Sequence, residues 1–295
     1  MYISNQSDSF AWFCKNQALN LKLLPVEVMM AWKEYFIYNF TNTNLTAGTL
    51  AAPVFTDTIT RFDTDADFEV MKRTHIATDS RIQVSYRDDA YGRFLQNSPL
   101  DLRCISGTIL FTTGVVDVGI HPNNFLPYVL TRPFLIRAST NFTASFADFS
   151  GSTNSIRQAF HGAKLRKGKA PWDEQWKATP YFDYTATLSV AASSTAPANL
   201  SVNIDSHFLV RRLTATRTGP ALITLKDSAT DRQWMSQPIH IDNLFGNAQF
   251  PNILPAPRFV YRGSVINITV QDLGFLPSGI TTNTIVLTFS GEKLY

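Results

Sequence analysis

The residues best able to do chemistry in this chain are the carboxylates of DTDADFE, residues 63–69. Their D-x-D-x-D spacing is the opening of a calcium loop. That loop needs glycine at its sixth position and glutamate at its twelfth, where this chain has Phe68 and Thr74. The loop reading therefore fails, leaving a looser cation site on Asp63, Asp65 and Asp67 to weigh against a solvated bend before a strand. The five histidines, His75, His121, His161, His207 and His240, show no H-x-x-x-H or H-E-x-x-H spacing, which argues against zinc. They read better as satisfied surface or core residues. No G-x-S-x-G elbow, P-loop or G-x-G-x-x-G occurs. Cys104, in LRCIS, has an apolar strand setting that suits burial rather than a reactive thiolate. A glycosidase pair would need carboxylates converging from distant loops. The expectation is a chain without catalytic residues, cofactor or metal.

What positions these residues is a repeat. FSGEKLY (289–295) echoes FHGAKL (160–165) at a shift of 129. DFEVMKRTHIATD (67–79) lies over HFLVRRLTATRTG (207–219), and NFTASFADFSG (141–151) over NITVQDLG (267–274). In the same alignment Phe94 falls on Trp234, PLDL (99–102) on PIHI (238–241), Gly107 on Gly246, Phe134 on Phe259 and Arg137 on Arg262. Matches at so many ordered points indicate two divergent copies of one domain. The first copy carries extra residues around 107–125, and the second a longer turn at GFLPSGITTN.

Within each copy the segments alternate with period two. Ile266, Ile268 and Val270 share one face, as do Phe142, Ala144 and Phe146, and Leu200, Val202 and Ile204. This is the pattern of half-buried strands, punctuated by Gly, Pro, Ser, Asn and Asp. Neither copy offers the helical crossovers that a parallel sheet requires. The expected fold is mainly β: two tandem antiparallel β-sandwich or jelly-roll-like domains from an internal duplication, with an N-terminal helical arm. The boundaries are 1–45 for the arm, 46–166 for the first sandwich, 167–185 for a linker and 186–295 for the second sandwich.

The arm is read from PVEVMMAWKEYFIYNF, where Pro25 opens a helix with Val28, Trp32, Tyr35 and Phe36 at 3–4 spacing. Val26, Met29, Met30, Ile37 and Phe40 add apolar surface around the remaining circumference, so the element must be buried on more than one side. It packs over the first sandwich, docks on another subunit, or does both. Candidate partner contacts are Trp12, Phe13, Val28, Trp32, Tyr35 and Phe36 in the arm, with Trp172 and Trp176 in the linker. Where the first sandwich passes into the linker, Lys164, Arg166, Lys167 and Lys169 form a basic cluster that is thin for nucleic acid.

Composition agrees with a contact protein. Hydrophobic residues make up 44%, charged residues 17%, and the net charge is +3, too small and dispersed for a nucleic-acid surface. Two cysteines, Cys14 and Cys104, argue against a disulfide scaffold and fit synthesis in a reducing cytoplasm. The polar start MYISNQSDSF is unlike a signal peptide, and no apolar run is long enough for a membrane span.

The repeated signature, F-x-V-x-[KR]-x-T, P-[LI]-x-[LI], a Gly turn, an Arg- and Phe-bearing strand, an alternating strand and F-x-G-x-K-L, resembles small structural proteins of tailed bacteriophages. The likeness runs over roughly 55–166 and 196–295 and leaves the arm unmatched. It implies a homo-oligomeric virion protein, made in the host cytoplasm, that contacts capsid, portal or tail subunits. A head-to-tail, neck or capsid decoration component leads. A double jelly-roll major capsid protein, a tail fibre or receptor-binding protein, and a carbohydrate-binding sandwich module remain open.

Overall fold

The computed structural model describes residues 31–49, 53–77, 81–96, 98–102, 107–110, 127–149, 151, 153–168, 170–171, 178–247 and 250–295. The first half builds β1 (Ala31–Leu45), β2 (Phe55–Arg61), β3 (Asp67–Ala77), β4 (Ile82–Asp88), β5 (Arg93–Phe94), β6 (Leu100–Asp101), β7 (Gly107–Leu110), β8 (Tyr128–Ile136), β9 (Asn141–Asp148) and β10 (Asn154–Lys167). One sheet sets β1, β10 and β3 side by side, with β7 and β8 both on β3. The facing sheet runs β2, β9, β4, with β5 and β6 both on β4. First strand beside last, second beside next-to-last and third beside β8 is a long hairpin rolled up, the wrapping of a jelly roll.

The second half repeats it except at β7, whose place is taken by a single bridge at Gly246. It comprises β11 (Ala178–Ala191), β12 (Thr195–Ser201), β13 (His207–Arg217), β14 (Ala221–Asp227), β15 (Arg232–Gln233), β16 (Ile239–His240), β17 (Asn252–Val260), β18 (Val265–Asp272) and β19 (Thr282–Leu294), plus one helical turn, α1 (Ile241–Leu244). The sheets are β11-β19-β13-β17 and β12-β18-β14, with β15 and β16 on β14. Even the parallel contact recurs, Thr74 with Gly107 and Thr214 with Gly246. The cores differ in material. Sandwich 1 packs rings, among them Phe40, Phe62, Phe142 and Phe160, whereas sandwich 2 packs Ile223, Leu225, Ile268, Ile285 and Leu287.

The shared F-x-G-x-K-L ending now has a physical account. Both third strands carry a β-bulge against the final strand of their unit, at Met71 opposite His161 and Gly162 and at Arg211 opposite Ser290 and Gly291. A Cβ on Gly162 would lie 2.0 Å from the Glu69 carbonyl oxygen, and one on Gly291 the same 2.0 Å from that of Leu209. Only glycine permits so close an approach. Two residues on, the buried Lys164 pairs with Asp63 at 2.5 Å over the Phe36 ring, and the buried Lys293 pairs with Asp205 at 3.3 Å over Phe182. Tyr38 and Tyr184 complete the motif, each hydroxyl accepting from the backbone N–H of Asp63 or Asn203.

Several expectations are corrected. The helical arm is not found: residues 31–45 are strand β1, and the remainder of that arm lies outside the described residues. Phe36, Tyr38 and Phe40 enter the core of sandwich 1, while Tyr35 and Ile37 on the opposite face join the cluster of sandwich 2. A strand buried on both faces is apolar at every position, which periodicity alone cannot separate from a buried helix. The segment read as linker already holds the start of β11 at Ala178. Ile204 is 82% exposed in the turn after β12 rather than inside with Leu200 and Val202.

Register also shifts by one at two points. The N–H groups of Leu95 and Trp234 bond matching carbonyls, Tyr86 and Leu225, so Leu95 rather than Phe94 is the counterpart of Trp234. Phe134 pairs with Val70 as Arg258 pairs with Val210, so Phe134 matches Arg258 and not Phe259. A slip of one residue exchanges the faces of a strand, which is why it matters below.

Candidate interface between the two sandwiches

A set of buried polar groups, Glu34, Asn39, His161, Asn252 and Arg258 among them, lies where the two jelly rolls meet. Sandwich 1 presents the outer edge and outer face of β1. The Ile37 N–H donates to the Trp234 carbonyl at 3.2 Å, and the Ile37 carbonyl accepts from the Ser236 N–H at 3.0 Å. Asn39 donates its N–H to Ser236 Oγ and its Nδ2 to the Gln237 carbonyl, at 3.2 and 2.9 Å. Edge strands expose unpaired backbone groups, and here another domain takes them up. Sandwich 2 contributes the end left open between β17 and β15, where Trp234, Met235, Leu244 and Phe245 are fully or almost fully buried.

A charge network ties the lower rim. Glu34, on β1, lies 2.7 Å from Arg258 Nη1 of sandwich 2 and 2.7 Å from Arg166 Nε of sandwich 1, with Arg232 at 3.6 Å. Arg258 also donates to the Tyr35 carbonyl and sits over the Trp234 indole. Burial lowers the Arg258 pKa and the Glu34 carboxylate opposes that shift. Arg166 continues to Asp65 at 2.5 Å, and Asp65 also meets Lys164. Burial raises the Asp65 pKa, but Arg166 and Lys164 outweigh it, so the group stays below the usual carboxylate range.

Higher in the seam, His161 is enclosed between Tyr35 Oη, 2.9 Å from Nδ1, and Thr74 Oγ1, 3.0 Å from Nε2. Burial, with the Lys72 ammonium nearby, depresses its pKa to about 3, so the ring is neutral and serves as a hydrogen-bonded strut. Asn252 Nδ2 bonds the Leu244 carbonyl and reaches Tyr35 Oη at 3.5 Å, joining the same set.

Beside this network opens a cleft of about 470 Å³, lined by Phe36, Lys164, Arg166, Arg232, Asp63 and Asp65 among others. Charge of both signs is matched there within the chain. The three carboxylates weighed as a cation site are all claimed: Asp63 by Lys164, Asp65 by Lys164 and Arg166, and Asp67 by Arg137 at 2.9 Å. Among the described residues no cluster of His, Cys, Asp and Glu could hold a metal ion. Two members of the basic cluster, Lys164 and Arg166, are consumed by these pairs.

Of the residues singled out from sequence, Tyr35 lies in the seam, Phe36 faces inward beneath Lys164, and Trp32 is half-buried. Trp12, Phe13, Val28, Trp172, Trp176, Cys14, Cys104 and Lys169 lie outside the described residues. Sequence reasoning missed Glu34, Arg258 and Trp234 as seam residues. The signal present was an arginine within an alternating apolar strand, where its copy in the repeat has Phe134.

No protein-family model matches the chain, and no curated protein matches it. Among solved structures it is similar to the major capsid protein P2 of bacteriophage PM2, with 9% identity over 88% of this chain and 98% of that one and a TM-score of 0.21. It is also similar to the tandem CBM22-1–CBM22-2 domain of Paenibacillus barcinonensis Xyn10C, with 9% identity over 90% and 97% and a TM-score of 0.18.

Proposed function

We propose that the chain is a non-enzymatic structural protein of a bacteriophage virion: a double jelly-roll shell subunit that assembles with copies of itself into compact trimers. One observation carries the reading. Two jelly rolls of identical strand order are joined along a buried strand, so the chain is one stiff block with two pseudo-equivalent faces. A trimer of such blocks presents six similar sandwiches around one axis, which suits a closed shell in which each contact is repeated many times. Most polar groups at the joint bond to one another, as expected of a contact surface rather than a reaction centre, with Asn39 Oδ1, Trp234 Nε1, Asn252 Oδ1 and Arg258 Nε left without a hydrogen-bond partner among the described residues. This favours the shell subunit over the neck or decoration roles.

Jelly rolls also serve as lectin modules. The cleft, with Phe36 in its lining, gives a second reading, a sugar-binding module. Light scattering of the purified protein, with negative-stain images of the same fractions, separates the readings. Compact three-lobed particles are expected for the shell subunit, and rings of six or twelve would place the chain at the neck. A monomer at every concentration that binds glycans by calorimetry would overturn the virion reading.

A further inference from the structure

The seam is a head-to-tail contact: the outer edge of sandwich 1 sits on the open end of sandwich 2. Because the two units repeat each other, the chain carries a second outer edge and, among the described residues, a second copy of the backbone stretch that receives it. His161 pairs with Ile37 as Ser290 pairs with Asp183, so Asp183 on β11 is the counterpart of Ile37 on β1. β11 is an edge strand of 14 residues, and its outward face, from Tyr181 through Asp183, Thr185 and Thr187 to Ser189, is exposed. Among the described residues no backbone hydrogen bond reaches its outer edge between Tyr181 and Thr185. At the matching position of sandwich 1 the counterparts of Trp234 and Met235 are Leu95 and Gln96, which are partly exposed where Trp234 and Met235 are buried.

We infer that the outer edge of β11 binds the backbone at Leu95 and Gln96 of a second copy of this chain, reproducing between chains the contact that β1 makes with Trp234 and Met235 inside one. The inference rests on the self-assembly proposed above and names the surfaces involved. A long, uncovered edge strand is a liability in a protein held at high concentration unless a specific partner takes it up. The intrachain seam shows the geometry by which this fold covers such an edge. A heterologous contact of this kind closes into a ring when its rotation closes. The interchain version is the weaker one, because it lacks the ion pair. Phe134 stands where Arg258 does, and Thr179, paired with Lys293 as Glu34 is with Lys164, brings no carboxylate. Assembly through it is reversible while the chain itself stays intact.

The intrachain bridge between Ile37 and Met235 transposes to Asp183 on one chain and Gln96 on the next. In a Cys14→Ser, Cys104→Ser background, Asp183→Cys and Gln96→Cys chains are mixed and oxidised. Disulfide-linked dimers are expected only in the mixture, and a covalently closed ring when both substitutions share one chain. Asp183→Pro removes an outward N–H at an edge position where proline is tolerated. It is expected to abolish the oligomer in light scattering with unchanged thermal unfolding of the monomer. Cross-linking of Asp183→Cys with itself would replace the ring by a two-fold pair and overturn the inference. So would a parent that assembles while the mixture stays uncross-linked and Asp183→Pro assembles normally; in that case the shell reading survives. A parent that is monomeric throughout removes both.

Discussion

The Glu34 network gives the sharpest test of how the two jelly rolls are held. Arg258 is 1% exposed and has two anionic or carbonyl partners, Glu34 and the Tyr35 carbonyl. Unit charges about 4 Å apart attract by about 4 kcal/mol at an effective dielectric of 20. The carboxylate's own desolvation cost opposes that attraction. Removing it leaves the guanidinium buried and unpaired, a loss of about 3–5 kcal/mol. Glu34→Leu is therefore expected to lower the unfolding free energy by that amount. Arg166 suffers less, because it keeps Asp65 at 2.5 Å. The double substitution Glu34→Leu, Arg258→Met removes both charges and is expected to recover to within about 1 kcal/mol of the parent. Urea titration followed by tryptophan fluorescence reads this directly, since Trp234 lies beneath Arg258. A single substitution costing under about 1 kcal/mol, or a double substitution no more stable than the single, would refute the claim that a buried ion pair locks the seam.

Two further perturbations follow from the same geometry. Gly162→Ala and Gly291→Ala each drive a methyl group into a backbone carbonyl that cannot swing aside, so each is expected to cost at the upper end of about 1–3 kcal/mol. Thermal unfolding that leaves either variant at the parent's midpoint would show that the bulges relax. The second concerns acid. Burial depresses His161 and His240 to about 3 and His75 to about 4, against 6.5 when unfolded. The unfolded chain therefore binds protons first, and stability falls as pH drops below 6.5. Each ring contributes about 1.4 kcal/mol per pH unit, or about 6 kcal/mol for the three together at pH 5. Urea midpoints measured from pH 7 to 4.5 should decline steadily, and a flat profile would contradict the buried, neutral assignment. Asp65 and Asp242, both held low by arginine partners, extend the loss to still lower pH as they protonate.

The strength of the seam bears on the order of assembly. The intrachain contact combines backbone pairing, a buried indole and an ion pair, whereas the β11 edge offers backbone and polar side chains alone. On the proposed assembly, each chain would be completed before it meets another, and the weaker contact would form and break while a ring closes.

The β class, the duplication and most of the inward faces were legible along the chain. Those depend on local alternation, as at Phe142, Ala144 and Phe146, and on a repeated motif whose Gly162 and Lys164 answer a bulge and a buried ammonium near in the strand. The identity of β1 emerged only from packing. Its residues are apolar on every side because two domains enclose it, and an all-round apolar run has no period from which to tell strand from helix. Packing likewise set the register of Phe134 against Arg258, where a one-residue slip separates a core ring from a seam cation. The seam joins residues far apart along the chain, with 197 positions between Asn39 and Ser236 and 223 between Tyr35 and Arg258. Spacing along the chain carries no trace of such pairs, because only the docking of one closed sandwich on another brings them together.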